Sequence, residues 1–145
     1  SLITDAYSRK IVGHQLSNDL RTEGVSQALK MAIKERKTRL PLIHHSDRGL
    51  QYCSTEYQQL LATEQIQSSM TDGYDCYQNA LAERINGILK DEFLLNVCTD
   101  AEQLRKVITE SIQIYNTKRP HMKLKYKTPT FIHEKSLTDL AARDL

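Results

Sequence analysis

Two acidic residues, Asp47 and Glu83, have the type and setting that metal-ion chemistry needs. Asp47 follows the apolar stretch Leu40 to His44 closely and precedes Gly49, at which the chain can turn sharply. Glu83 lies 36 positions later. Carboxylate oxygens are the hard ligands that Mg²⁺ and Mn²⁺ prefer, and carboxylates converging on two such ions support in-line attack at phosphorus. The pair therefore suits a two-metal site for phosphodiester chemistry.

Each of these acids also has an ordinary structural interpretation. Asp47 can cap the helix predicted to begin near Thr55. Glu83 and Lys90 are seven residues apart, which is two turns along one stripe of a helix. Such a stripe is typical of a solvated face with a loose ion pair, although Lys90 in a metal site would contact a DNA phosphate. Spacing alone leaves both interpretations open.

A long helix, predicted from about Gln78 to Leu95, must position Glu83. At about 100° per residue, its apolar side chains fall on one face, which we expect to be buried. That face carries Leu81, Ile85, Ile88 and Leu89, whereas Asn79, Glu83 and Lys90 lie on the opposite side.

The order of predicted elements indicates an α/β layered domain. Hydrophobic periodicity and turn residues predict strands at Leu2 to Thr4, Lys10 to Ser17, Leu40 to His44 (a buried strand of a mostly parallel sheet) and Ile66 to Met70. Helices are predicted at Thr22 to Glu35, at Thr55 to Glu64, after a capping box at Thr99 to Glu102, and as a last short helix from Pro129; His45 to Ser54 is predicted as a loop. Sites in such sheets lie beyond the carboxyl ends of strands, which favours the segment that holds Asp47.

Composition bounds the possible partners. The 145 residues suit one domain, and the net charge of +2 is too balanced to indicate nucleic-acid binding by itself. Basic residues cluster from Arg119 to Lys127, with no acid between Tyr115 and His133, which is typical either of a solvated loop or of a phosphate-contacting one. The sequence predicts no membrane span. Three widely spaced cysteines favour a reducing cytoplasm and exclude the usual zinc-ligand spacing.

Five stretches resemble insertion-sequence transposases with a retroviral-integrase-type core. They are His44 to Tyr52 (H-S-D-x-G-x-Q-Y), Asn79 to Glu83 (N-A-x-x-E) with Lys90 seven residues later, Asp5 to Gly13 (D-x-x-S-R-x-I-V-G), Tyr115 to His121 (Y-N-x-x-R-P-H) and Thr128-Pro129. The 35 residues between Asp47 and Glu83 match the acid spacing of that signature. These blocks occur in the family's order and cover nearly the whole chain.

The resemblance implies an α/β, ribonuclease-H-like mixed sheet flanked by helices, within an integrase-type core that spans residues 1–145. It implies an Asp-Asp-Glu triad that binds two Mg²⁺ (or Mn²⁺) ions, with Asp47 second and Glu83 third. The implied partners are DNA, at element ends and target, and further copies of the chain; the implied location is the bacterial cytoplasm, at the nucleoid during action. We expect DNA contacts from Lys90, Asn79, Arg48, Arg119 and Lys123.

One departure from the family concerns its first acid, which precedes the hairpin that resembles Asp5 to Gly13. This chain begins at about that hairpin, and Asp5 matches the turn residue rather than the catalytic position. We therefore expect a core truncated at its N-terminal side that lacks the first strand, binds metal weakly, is inactive alone and associates through exposed strand edges. Two alternatives remain open: a metal-dependent nuclease that cuts without joining, and an inactive DNA-binding remnant.

Overall fold

The computed structural model of the chain describes residues 1–19, 21–71, 80–93 and 100–143. Strands and helices alternate along it. In chain order they are β1 (Leu2–Thr4), β2 (Ile11–His14), α1 (Thr22–Glu35), β3 (Leu42–Ser46), α2 (Leu50–Cys53), α3 (Thr55–Thr63), β4 (Ile66–Met70), α4 (Ala80–Glu92), α5 (Ala101–Thr117), a 3-10 turn (Met122–Leu124) and α6 (Pro129–Arg143). No helix among these residues is both long and apolar enough to cross a bilayer.

The chain divides into two compact units. The first unit holds Ser1–Ile3 and Val12–Glu83, and the second holds Thr4–Ile11 and Arg84–Leu145. The described strands form two two-stranded sheets, β1 with β2 and β3 with β4. The β1–β2 pair is a hairpin, closed near its turn by the Asp5 amide, which donates to the Lys10 carbonyl oxygen at 2.8 Å.

Parallel pairing of β3 with β4 organises the first unit. The register sets Leu42 opposite Ile66 and Ser46 opposite Met70. Helices α1 and α3 and the first residue of β4 supply the core because their apolar positions recur on one side of each element. Its buried members are Val25, Leu29, Tyr57, Leu61 and Ile66, with Ile3, Ile33, Tyr52 and Leu60 packed around them.

The predicted burial of the strand that begins at Leu40 is wrong. In β3, the Leu42 and Ile43 side chains are 43% and 62% exposed. The strand is bonded to β4 on one side only, so within the described residues its other edge has no strand partner. The apolar residues of this stretch correctly predict a strand, but whether a strand is buried depends on which other elements pack against it.

The second unit combines α5, α6 and the hairpin turn. The buried side of α5 carries Ser111, Ile112 and Tyr115, which lie at helical spacing. Asn116, next along the helix, is buried as well and bonds the Ile11 backbone twice at 2.9 Å: its Oδ1 accepts from the amide, and its Nδ2 donates to the carbonyl oxygen. These two bonds satisfy both polar groups of the buried Ile11 backbone.

Most predicted elements are confirmed, although several differ in their bounds, among them β2, which ends at His14 rather than Ser17. The range Thr22–Glu35 is confirmed for α1, as is Ile66–Met70 for β4. The predicted loop after His45 contains the short α2, and β3 begins and ends two residues later than predicted, at Leu42 and Ser46. The N-cap of α5 is Asp100, which accepts from the Glu102 amide at 3.2 Å; Thr99, the first residue of the predicted capping box, lies outside the described residues. The last helix, predicted to be short, has 15 residues. The predicted ends of the α4 helix lie outside the described residues too.

Candidate active site

The segment after β3 turns back at Asp47. The Asp47 carboxylate accepts a hydrogen bond from the Gly49 amide at 2.8 Å, so the acid stabilises its own turn, as Asp commonly does. The N-cap of α3 is Ser54, whose Oγ accepts from the Tyr57 amide, so the predicted alternative of Asp47 as that helix's cap is wrong. Asp47 is exposed.

Backbone and side-chain bonds hold this turn to the end of β4. The Thr71 amide donates to the Ser46 carbonyl oxygen at 3.0 Å, and the Arg48 Nε donates to the Thr71 carbonyl oxygen at 2.5 Å. Ser46, the last residue of β3, is 8% exposed. One N–H group of the Arg48 guanidinium is therefore engaged in a hydrogen bond within the protein.

An aromatic cluster lies beneath the Asp47 turn. Tyr57 Oη is 2.9 Å from Nε2 of His44, and Tyr52 packs edge-on to Tyr57 with ring centroids 5.4 Å apart. Burial lowers the pKa of His44 and keeps the ring neutral. Burial, and then the negative charge of Asp47, raise the pKa of Tyr52. His44 thus has a structural partner, whereas His45 is exposed and bonds Ser69 Oγ at 3.0 Å.

Helix α4 presents Glu83 and Lys90 as its periodicity predicts. Ile85, Ile88 and Leu89 are buried, whereas Glu83 and Lys90 are exposed. Neither charged side chain forms an ion pair with another described residue, so the predicted loose pair between them is not formed. Asn79 lies outside the described residues.

The carboxylate oxygens of Asp47 and Glu83 are suitable ligands for a magnesium ion, although two carboxylates are too few for a complete site. Both side chains are exposed carboxylates in the first unit, and carboxylate oxygens are what Mg²⁺ requires. Among residues 1–19, 21–71, 80–93 and 100–143, no group of three or more His, Cys, Asp or Glu side chains is placed to hold a metal. These two acids would therefore hold an ion only with a further ligand.

Asp5 is engaged in local structure. Its Oδ2 accepts from the Ser8 amide at 2.9 Å and from Ser8 Oγ at 2.5 Å, and it lies 3.4 Å from Nδ1 of His133 on α6. Burial opposes ionisation, but the bonds from His133 and Ser8 outweigh it and hold the Asp5 pKa at about 2. Ser8 is fully buried and donates to the acid, so this Ser-His-Asp group is not a hydrolytic triad.

Arg119 and Lys123, both expected to contact DNA, have different surroundings. The Arg119 guanidinium binds the Glu92 carboxylate through Nε at 2.7 Å and Nη2 at 2.6 Å. Lys123 is exposed on the 3-10 turn between α5 and α6. Sequence reasoning missed Glu92, because the two partners are 27 residues apart, and it missed Tyr126, an exposed ring within the basic stretch.

Comparisons with known proteins agree with this architecture. Residues 1–76 and residues 64–129 match two family models, each described as an integrase core domain. The chain is 35% identical over 135 residues to the insertion element IS600 31 kDa protein of Shigella sonnei, covering 92% of this chain and 50% of that protein. It is 32% identical over 130 residues to the putative transposase InsK for insertion sequence element IS150 of Escherichia coli K12, covering 89% of this chain and 46% of that protein.

Among solved structures, the HTLV-2 integrase catalytic core domain in complex with magnesium, in its trimeric form, superimposes with a TM-score of 0.67. Sequence identity is 24%, over 91% of this chain and 82% of that one. This likeness confirms the ribonuclease-H-like α/β fold that the sequence predicts. The chain spans about half the length of the curated relatives just named. Because an integrase core model matches more than half of its residues, the chain belongs to the integrase core domain family.

Proposed function

We propose that this chain is the catalytic core of a bacterial DNA transposase that cuts DNA strands and joins them to a target. The observation that carries the proposal is the placement of two exposed acids, Asp47 after strand β3 and Glu83 on α4, within a chain of the integrase core family. Relatives that are named transposases for bacterial insertion elements support the same activity.

Asp47 and Glu83 would bind Mg²⁺ or Mn²⁺ as carboxylate ligands. Two such ions, when bound, activate the attacking hydroxyl and stabilise the leaving oxygen. Two hydrogen bonds stabilise the Asp47 turn, one from the Gly49 amide to Asp47 and one from Arg48 to Thr71, so the Asp47 carboxylate would bind the ion from an ordered loop. Lys90, two turns beyond Glu83 on the same exposed face, would contact a phosphate as a point charge.

A further acidic ligand is needed for a two-ion site. The described residues hold no third carboxylate with these two, and the named relatives are about twice as long as the chain. We infer that the remaining ligand comes from outside the described residues, and that residues 1–145 form one integrase-type core.

The proposed partners are DNA and further copies of the protein. The HTLV-2 core domain was solved in trimeric and dimeric forms, and a related simian retroviral chain was solved in an intasome. In this chain, the exposed Leu42 and Ile43 lie on β3, whose second edge has no strand partner among the described residues. Such an edge favours association through strand pairing. We propose that the protein acts at the nucleoid in the bacterial cytoplasm.

The test uses a longer protein that contains this chain, assayed with Mn²⁺ and a pre-cut DNA end. We expect Asp47→Asn and Glu83→Gln each to abolish strand transfer, whereas Asp91→Asn, an exposed acid on the same helix, retains it. Mn²⁺ binding measured by electron paramagnetic resonance should weaken in the first two variants only. Full strand transfer by Glu83→Gln would disprove the site, and cutting without joining in the wild type would identify a nuclease instead.

A further inference from the structure

The segment His121–Lys127, named here the basic loop, has a preformed shape. His121 and Lys127 form an isolated antiparallel bridge, and the His121 amide donates to the Lys127 carbonyl oxygen at 3.1 Å. Within the loop, the amides of Tyr126 and Leu124 both donate to the His121 carbonyl oxygen, at 2.8 and 3.0 Å. A segment ordered in this way loses little further entropy when it binds a partner.

Two side chains anchor the basic loop from beneath. Leu124 is 8% exposed, and the His121 ring meets the Tyr115 ring edge-on with centroids 5.0 Å apart. Burial and then the positive charge of Arg119 lower the pKa of His121, so this ring contributes packing rather than charge. The other side chains of the loop are exposed: Met122, Lys123, Lys125, Tyr126 and Lys127.

Two residues of the loop, Lys125 and Tyr126, have a strained backbone, and one of them carries an exposed aromatic ring. Lys125 and Tyr126 both have left-handed backbone angles, with φ of 53° and 60°. Each such residue other than glycine costs about 1–2 kcal/mol, and Gly or Asn would remove most of that cost. The Tyr126 ring is 71% exposed, so core packing does not account for a tyrosine here. Strain of this kind concentrates at functional surfaces.

Positive charge surrounds the exposed ring. Lys123, Lys125 and Lys127 are all exposed, and no acidic residue occurs between Tyr115 and His133. The Lys127 ammonium lies 5.4 Å from the centre of the Phe131 ring. Stacking rings beside lysines that track a backbone are the combination that binds unpaired nucleic acid.

We propose that the basic loop binds unpaired DNA, with Tyr126 stacking on a base and the three lysines contacting phosphates. The proposal rests on the proposed function, since it assigns part of the DNA surface of the same protein. Unpaired DNA fits better than duplex, because base faces are covered in a duplex and a tyrosine ring has nothing there to stack on. Lysines bind phosphates without regard to sequence, so the binding should be tolerant of sequence.

The test measures binding of the 145-residue chain to a labelled oligothymidylate of about 20 nucleotides by fluorescence anisotropy, beside a blunt duplex. We expect Tyr126→Ala to weaken oligothymidylate binding about fivefold or more, the effect of one lost stacked base. Tyr126→Phe should bind normally. Replacing the three lysines with Gln should lower the slope of log affinity against log salt by about 2.

Two controls separate stacking from folding. Tyr126→Asn removes the ring while suiting the left-handed backbone, and it should show the same loss. Tyr7→Ala removes a ring of nearly equal exposure, 70% against 71%, from the hairpin turn and should bind like the wild type. Wild-type affinity in Tyr126→Ala, equal losses for duplex, or no wild-type binding at low salt would each overturn the proposal. Displacement by polyglutamate as effective as by DNA would overturn it in favour of an acidic protein partner.

These results are separable from those for the proposed function. Suppose that the longer protein shows strand transfer that depends on Glu83, and that Tyr126→Ala binds oligothymidylate normally. These two results together would overturn the inference about the basic loop and leave the proposed function standing. Absence of strand transfer in the wild-type longer protein would overturn the proposed function, whatever the binding results.

Discussion

Arg119 binds the carboxylate of Glu92 in a fork, with two hydrogen bonds of 2.7 and 2.6 Å that join the end of α4 to the residue two positions after α5. The bond from Arg119 lowers the pKa of Glu92, and the same bond raises that of Arg119. Arg119 Nη1 also lies 3.5 Å from Nε2 of His121, the first residue of the basic loop. The fork thus fixes the chain where that loop begins.

Loss of this fork should cost little stability. Glu92→Gln removes the ionic part of the pair, and because Glu92 is 46% exposed, solvent screening limits the loss to about 0.5–1 kcal/mol. The depressed pKa of Glu92 means that its contribution is present above its ordinary value of 4.5 and is lost as the pH falls below it. Chemical denaturation at pH 7 and pH 3 measures both. Asp91→Asn is the matched control, and an equal loss in that variant would contradict the assignment to the pair.

The hairpin should lose an acid-sensitive contact at low pH. The Asp5 pKa is about 2, below its ordinary 3.8, so its ionised form stabilises the fold above pH 3.8 and this contribution fades as the pH falls towards 2. The difference corresponds to about 2 kcal/mol at neutral pH. Asp5→Asn should therefore destabilise the chain by about that amount at pH 7 and flatten the acid limb of the unfolding curve.

Asp139→Asn provides the control for Asp5, since Asp139 is exposed on α6. It should leave the acid limb unchanged. If Asp5→Asn keeps the wild-type pH dependence between pH 4 and 2, the contact with Ser8 and His133 does not stabilise the fold in solution.

Asn116 should be costly to replace. Asn116→Ala removes both hydrogen bonds to Ile11 and leaves a buried amide and carbonyl without partners, at a cost of about 2–4 kcal/mol. Thr117→Ala is the neighbouring control: its hydroxyl donates to the Gln113 carbonyl on an exposed face, and its loss should change stability by no more than about 0.5 kcal/mol. Equal unfolding free energies for the two variants, measured in urea, would refute the role of Asn116.

Two glycines should respond in opposite directions to alanine. A Cβ on Gly13 would lie 2.2 Å from the Ala28 carbonyl oxygen of α1, and backbone cannot yield cheaply, so Gly13→Ala should lose about 2 kcal/mol or more. Gly87 lies inside α4 with nothing within 4 Å of its would-be Cβ, so Gly87→Ala should gain up to about 1 kcal/mol. Urea denaturation of both variants checks this. A stable Gly13→Ala protein would show that β2 does not pack so closely on α1.

Local structure could be read from residue order because its causes are local. Periodic apolar positions define the buried side of α4, and the predicted face matches the burial of Ile85, Ile88 and Leu89. The motifs that contain Asp47 and Glu83 predicted the integrase core family, and the comparisons confirm it. Their shared role at a metal ion stays a prediction, because it depends on a further ligand.

Long-range partners could be decided only by tertiary packing. Nothing in the sequence pairs Arg119 with Glu92, 27 residues away, or Asp5 with His133, 128 residues away. The exposure of Leu42 is also decided by tertiary packing, since the stretch from Leu40 to His44 predicts a buried strand and only its neighbours determine whether it is covered. Helical periodicity acts within a few residues, whereas ion pairs and burial depend on how distant segments come together.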